Sequence, residues 1–367
     1  MKKTIKQAII AATISVMVGA VAVAATKTTL VVVSWGGAYS ASQQAAYHQP
    51  YMDANSDIIV ISDDSAGQAA SKLRAMSEAG NVIWDLIDVE APTAIILCDE
   101  GLVEEINHDT QLAPAPDGTL ASVDFGNSII SPCFIPQIAY STVFGYRNDA
   151  FSVAPTKMED VFDLVKFPGK RALERRPDTN LEWALIADGV AVEDIYKVLD
   201  TEKGIARAFA KLDTIKDQVI WWTKGAQPMQ LLSDGEVVFG TGYNGRLFQA
   251  IVVDKQPISM LWDGQALSLS GWVVPKDAPH KAEIMEYVRF ATDTQRLADQ
   301  ASYISYGPLR ASSAAIVGKH VELGIEMAPH MPTAAENMKG AFIYDFTWWA
   351  DNKEDMTVRF EAWLAKD

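Results

Sequence analysis

Tyr140-Ser141-Thr142-Val143-Phe144-Gly145-Tyr146 is the stretch on which the fold turns. Its β-branched and aromatic residues read as an extended segment. Upstream, Leu30-Val31-Val32-Val33 reads as a buried strand ending at Ser34-Trp35-Gly36-Gly37, with a polar helical stretch from Tyr39. Ile58-Ile59-Val60-Ile61 is a second strand, followed by Ser65-Ala66-Gly67-Gln68 and a helical segment through Met76. Trp84-Asp85-Leu86-Ile87-Asp88-Val89 is a third. Downstream the pattern begins again. A helix near Met158–Val165, a turn at Phe167-Pro168-Gly169-Lys170 and a helix from Leu181 come first. A strand at Gln218–Trp222, a helix over Pro228–Leu232 and a strand at Val237–Gly240 follow. Ser270–Val274 reads as a second extended crossing, and Pro279–Ala298 as helical. Strands alternating with helices imply parallel βαβ units. This order predicts an α/β chain in two lobes joined by two extended crossing strands. Ligands of such sheets sit beyond the carboxyl ends of strands, which points to Ser34–Gly37, Asp63–Gly67 and Asp88–Glu90.

The amino end predicts export. Lys2, Lys3 and Lys6 are followed by an apolar run from Ala8 to Val21 and by Ala22-Val23-Ala24-Ala25. A basic start, a short apolar core and an A-x-A site make a secretory signal, with cleavage expected after Ala24 or Ala25. Residues 1–25 are therefore set aside from the fold. Cys98 and Cys133 are the only cysteines. Neither lies at the cleavage site, so no lipid-anchored terminus is expected. In an exported chain the two are most simply one disulfide, the alternative being two buried thiols.

Losing the three leader lysines takes the formal charge from -16 to -19. Such an acidic chain argues against nucleic acid and anionic membrane surfaces as partners. About 340 residues remain, enough for two lobes. The expected division is 26–140 with 272–325 for lobe I and 141–271 with 326–367 for lobe II.

One fingerprint competes with a binding-protein reading. Gly240-Thr241-Gly242-Tyr243-Asn244-Gly245 matches G-x-G-x-x-G, with Asp263 near the spacing of a ribose-binding carboxylate. The strand that should follow, Ile258-Ser259-Met260-Leu261, is short, contains a serine and starts directly after Pro257. Enzyme patterns are otherwise missing: no H-E-x-x-H, G-x-S-x-G or C-x-x-C occurs, and the five histidines lack ligand spacing. Neither catalytic residue, metal nor cofactor is expected. The ten tryptophans are generous for the length. At least half should be core, and the rest could wall a cleft suited to alkyl chains, cations or sugar faces.

Taken in order, several motifs resemble the spermidine/putrescine-binding family of ABC importers. They are Ser34-Trp35-Gly36-Gly37, Asp85-Leu86-Ile87-Asp88-Val89-Glu90, Cys98-Asp99-Glu100-Gly101-Leu102 and Phe167-Pro168-Gly169-Lys170-Arg171. Tyr243-Asn244-Gly245-Arg246, Gly271-Trp272-Val273-Val274-Pro275, Tyr306-Gly307-Pro308 and Asp345-Phe346-Thr347-Trp348-Trp349 continue the series. The resemblance implies a two-lobed periplasmic binding protein fold of type II. It also implies a cleft that closes on its ligand and docking on an inner-membrane permease driven by a cytoplasmic ATPase. A monomer is expected. The glycine fingerprint becomes the family's cleft-lining aromatic-Asn-Gly.

Departures from the family shape the ligand. Where the family places carboxylates for ammonium groups, this chain has Ser270, and Arg176 and Thr179 align with two more, a one-residue slip bringing in Asp178. A guanidinium at Arg246 presents a fork that suits a carboxylate. The expected ligand therefore carries both an amine and a carboxylate, such as γ-aminobutyrate, another ω-amino acid or a related conjugate. Glu90 with Asp263 would take the amine, and Arg246 with Arg176 the carboxylate. Trp35, Tyr39, Tyr243 and Trp262 would wall the chain between them, beside Asn244 and Ser270. The alternatives are a putrescine/spermidine binder and a sugar binder.

Overall fold

A computed structural model describes residues 27–225 and 227–366, so the expected leader lies outside the described residues. Ten strands form one sheet: β1 Thr28–Val33, β2 Ile58–Asp63, β3 Leu86–Glu90, β4 Ile135–Arg147 and β5 Arg171–Glu174, then β6 Val219–Trp222, β7 Phe239–Tyr243, β8 Ile258–Val273, β9 Gly307–Pro308 and β10 Phe342–Ile343. Their order is β2-β1-β3-β8-β4-β7-β5-β6, with β10 on β8 and β9 on β4. The outer thirds, β2-β1-β3 and β7-β5-β6, are parallel. The long central strands β4 and β8 pair antiparallel with each other and carry one outer third each.

Each third has its own core. Leu30, Val32, Val60 and Leu86 pack with Ile284, Tyr287 and Val288 of the helix Lys281–Ala291 on the first. Leu173, Trp183, Leu185 and Phe239 pack with Trp349, Phe360 and Trp363 of the helix Phe346–Leu364 on the second. The aromatic tail is thus a docked helix that completes the second core and also packs against the helix Ala91–Asp99 of the first. Asp345 caps its start by accepting from Trp348 N. Cys98 and Cys133 form a disulfide that ties the helix Ala91–Asp99 to the loop entering β4.

Three features differ from the sequence reading. The second crossing begins at Ile258, twelve residues before Ser270, so Ile258–Leu261 is the first part of β8 and runs antiparallel to β4. A dinucleotide fold would need a parallel strand there. The register of β4 against β8 breaks between Thr142 and Phe144, where Trp262–Gln265 leave the ladder and Gly264 takes φ 71. Bulges of this kind re-aim side chains. Finally, the helical stretch after Pro279 breaks at Thr292–Asp293, because Asp293 accepts from Gln295 N and starts the separate helix Thr294–Ala301.

The second core holds one ionisable group without a cation. Glu182 is fully buried, and its Oε1 accepts from Tyr196 OH at 2.9 Å and Trp349 Nε1 at 2.7 Å. Its Oε2 has no partner among the described residues. Burial pushes the carboxyl up to about 7, so the folded protein holds a proton that the unfolded chain releases near pH 4–5. Stability from this group is complete below that range and falls as pH rises toward 7. Urea unfolding of the wild type should therefore lose about 2–3 kcal/mol between roughly pH 5 and 7 relative to Glu182→Gln. Parallel curves for the two proteins would show that Glu182 is ionised in the native core.

Candidate functional site

A cleft of about 650 Å³ opens where the carboxyl ends of the two parallel thirds face each other across β4 and β8. From the first third come Trp35 after β1, Asp64 after β2 and Glu90 at the end of β3. The second contributes Glu174 at the end of β5 with Arg176 after it, Thr223 after β6, and Tyr243 at the end of β7 with Arg246 after it. The crossing strands supply the floor with Ile138, Tyr140 and Ser270. Tyr306 and Lys353 complete the lining.

The chain reaches these positions through glycine. Gly36 at φ 78 and Gly37 at φ 61 turn β1 into the helix Gly37–Gln43, which L side chains do poorly. A Cβ on Gly37 would stand 3.6 Å from the Arg246 guanidinium. Arg246 thus reaches across the cleft to the backbone of the opposite third. The G-x-G-x-x-G glycines serve close packing: a Cβ on Gly242 would meet the Met229 side chain at 2.9 Å, and one on Gly245 the Tyr306 ring at 2.7 Å.

The aromatic lining is mutually supported. Tyr39 meets Tyr306 with centroids 5.8 Å apart, and Tyr140 meets Tyr243 at 5.7 Å and Tyr306 at 6.4 Å, both edge-on. Trp35 Nε1 donates to Asp88 Oδ1 at 2.9 Å, and Tyr39 OH lies 2.7 Å from Asp88 Oδ2. Ser270 Oγ donates to Asp88 Oδ1 at 2.7 Å.

Charge is clustered around Arg176. Arg176 pairs with Asp178 through two hydrogen bonds, and its Nη1 lies 3.8 Å from both Glu90 Oε1 and Glu174 Oε2. Tyr140 OH donates to Glu90 Oε1 at 3.1 Å, and Tyr344 OH to Asp178 Oδ2 at 2.9 Å. Burial pushes the Glu90 carboxyl up, but Arg176, Lys353 and the Tyr140 hydrogen bond outweigh it and hold it below its usual range. For Glu174 burial prevails over Arg176, and its carboxyl is raised. Burial, with Arg176 nearby, lowers Lys353. Glu90, Glu174 and Asp178 against Arg176 and Lys353 leave one excess negative charge. Arg246, beside the Gly36–Gly37 turn that also meets Asp64, has no ion-pair partner within 4 Å among the described residues, whereas Arg176 has three.

Of the residues singled out from the sequence, the structure brings Trp35, Tyr39, Glu90, Arg176, Tyr243, Arg246 and Ser270 to this cleft. It does not bring Asn244, Trp262 or Asp263. Asn244 is buried behind the lining, where its Oδ1 accepts from Ser141 N and its Nδ2 donates to Ser305 O. The bulge in β8 carries Trp262 onto the cluster of Val143, Leu232, Leu247 and Ile258, and Asp263 onto the helix Met158–Phe162, whose Met158 N donates to Asp263 Oδ2 at 2.8 Å. Arg176 is present but already neutralised by three carboxylates, which removes it from the expected carboxylate grip. Glu174, Lys353, Tyr140 and Tyr306 were missed. Tyr140 and Tyr306 lay inside quoted stretches, whereas Glu174 and Lys353 carry no local signal. Among the described residues no group of three or more His, Cys, Asp or Glu side chains could hold a metal.

Two parallel sheets facing each other over two crossing strands, with a polar cleft between, define a two-lobed solute receptor. The chain belongs to the bacterial extracellular solute-binding protein family, whose model matches residues 46–333. It is 36% identical over 347 residues to the gamma-aminobutyric acid-binding protein of Pseudomonas aeruginosa, covering 95% of this chain and 94% of that one. The solved Atu4243–GABA receptor superposes with a TM-score of 0.78 at 30% identity, covering 93% of this chain and 98% of that one. The spermidine/putrescine-binding protein PotD of Streptococcus pneumoniae shares the fold, with a TM-score of 0.67 at 14% identity over 92% of this chain and 100% of that one. These relatives are named as binding proteins or receptors rather than enzymes, PotD as the substrate-binding protein of an ABC transporter, and no helix among the described residues is long and apolar enough to cross a membrane.

Removing the central cation of the acidic cluster tests the charge balance. Arg176→Met leaves Glu90, Glu174 and Asp178 facing one another with only Lys353 nearby. Urea unfolding near neutral pH should show a loss of about 2–3 kcal/mol, partly recovered in acid as the carboxylates protonate. An unchanged midpoint would mean that solvent already screens the cluster.

Proposed function

We propose that this protein is the periplasmic receptor of an ABC importer for an ω-amino acid, with γ-aminobutyrate the foremost candidate. The observation that carries the reading is that acidic side chains and a guanidinium outside any ion pair among the described residues line one cleft. Glu90 and Glu174 offer an excess negative charge to an ammonium, while Arg246 offers an unpaired guanidinium to a carboxylate. Tyr39, Tyr140, Tyr243 and Tyr306 supply aromatic surface between them. A zwitterion would satisfy both ends at once, and buried charges must be paired. A plain diamine would leave one ammonium beside Arg246. The names of the Pseudomonas relative and of the GABA receptor structure support the same ligand class.

The acidic cluster and Arg246 draw on both parallel thirds, so only the closed cleft makes the full set of contacts. Ligand then shifts the population toward closure. The division 26–140 with 272–325 and 141–271 with 326–367 serves as the two moving lobes. Export by a cleaved leader, action as a monomer and delivery to a permease powered by a cytoplasmic ATPase complete the reading.

Calorimetry on the mature protein tests it. Wild type should bind γ-aminobutyrate one to one, and Arg246→Ala should weaken that binding roughly ten- to hundredfold, the effect of removing a charged hydrogen-bonding partner. Sub-micromolar binding of putrescine with no heat from γ-aminobutyrate would replace this reading by a polyamine one.

A further inference from the structure

One carboxylate lies directly behind the aromatic lining. Asp88 is 0% exposed. Its Oδ1 accepts from Trp35 Nε1 at 2.9 Å and Ser270 Oγ at 2.7 Å. Its Oδ2 accepts from Gln43 Nε2 at 2.9 Å and has Tyr39 OH at 2.7 Å. Among the described residues Asp88 has no cationic partner. The titratable groups facing it from the helix Gly37–Gln43, the turn after it and the helix Lys281–Ala291 are Tyr39, Tyr47 and Tyr287, all held neutral by burial. A carboxylate removed from water is normally paired with a cation. Here it has only neutral donors, and three of them, Trp35, Tyr39 and Ser270, also line the cleft.

We propose that Asp88 is a positioning residue of the cleft that favours the ligand's ammonium. It locks Trp35, Tyr39 and Ser270 in place, and its uncompensated charge, one side chain behind the lining, attracts the ligand's ammonium. The inference rests on the reading that the ligand carries an ammonium. The physical route is short. Indole and phenol groups donating to a carboxylate are polarised by it, which makes their rings better partners for a cation. Ser270 Oγ has its one proton committed behind the lining, to Asp88 Oδ1 at 2.7 Å with Val89 O at 3.0 Å, and so can meet a ligand only as an acceptor. Burial raises the Asp88 carboxyl to about 6, with the four donors limiting the rise. A bound ammonium favours the ionised form, so ligand and proton oppose each other reciprocally. Binding is therefore strong above that range and weakens as pH falls through it. Asp64, Glu90 and Glu174 are the other acids that line the cleft, and Glu174, also raised, adds its own share.

The test compares wild type and Asp88→Asn by calorimetry with γ-aminobutyrate, which is a zwitterion at both about pH 7.5 and about pH 5. Wild-type affinity should fall about fivefold between the two. Asp88→Asn should bind about tenfold more weakly at the higher pH and lose most of the pH dependence, while its binding of butyrate, which lacks the amine, should not weaken. Equal affinity and equal pH slope in the two proteins would overturn the proposal. Should Asp88→Asn fail to fold, the indole N–H resonance of Trp35 in the wild type, assigned with Trp35→Phe, decides. It should titrate near pH 6 without ligand and about one unit lower when saturated. An inflection that ligand does not move overturns the proposal. A wild type that binds no γ-aminobutyrate at either pH overturns the ω-amino-acid reading instead. The same Trp35 titration with putrescine then judges Asp88, a lowered inflection supporting it and an unmoved one overturning it.

Discussion

The antiparallel pairing of β4 with β8 is the constraint from which the rest of the molecule follows. Both strands are long enough to serve two sheets, and each carries a parallel third on its outer edge. The cleft walls are therefore fixed to one hydrogen-bonded ladder. Glu90 on β3, Ser270 on β8 and Ile138 on β4 fall in a single row of that ladder, and Tyr243 on β7 faces Thr142 on β4. A slip of one residue would turn every one of these side chains to the opposite face. The ladder shifts register twice, between Pro136 and Ile138 and between Thr142 and Phe144, and at the second shift Asp263 accepts from the first turn of a helix.

On that frame the cleft gathers charges that water would ordinarily screen. Arg176 sits among Glu90, Glu174 and Asp178, and Lys353 reaches in from the tail helix. Such a cluster is stable only if its geometry satisfies nearly every oxygen, as Tyr140 and Tyr344 help it to do. The cleft thus presents both a residual negative charge and Arg246, which has no ion-pair partner among the described residues. The tail helix has two roles here, filling the second core with Trp349, Phe360 and Trp363 while holding Lys353 against the acids.

Local patterning made much of this legible. Runs such as Leu30–Val33 and Ile58–Ile61 announce strands because both faces, or one face, must be apolar. Ser34-Trp35-Gly36-Gly37 marks a site because positive-φ glycines at a strand end are where ligands reach backbone. Arg246 stood out because a guanidinium in a polyamine-like pattern is out of place. Other residues gave no such sign. Glu174 and Lys353 are ordinary surface types in sequence, made functional by the approach of segments nearly 180 residues apart. Asp263 looked suitable by spacing alone, and only the β8 bulge shows where it points.

By itself the amino-acid sequence determined the alternation of strands and helices, the two crossings and the acidic, aromatic character of the chain, because these depend on periodicity and composition. The tertiary structure alone decided which charges are paired. Whether Arg176 grips a ligand or neutralises three carboxylates, and whether Asp88 stands without a cation behind Trp35, Tyr39 and Ser270, are questions of distance. Coulomb energy depends on separation and burial, neither of which a linear sequence contains.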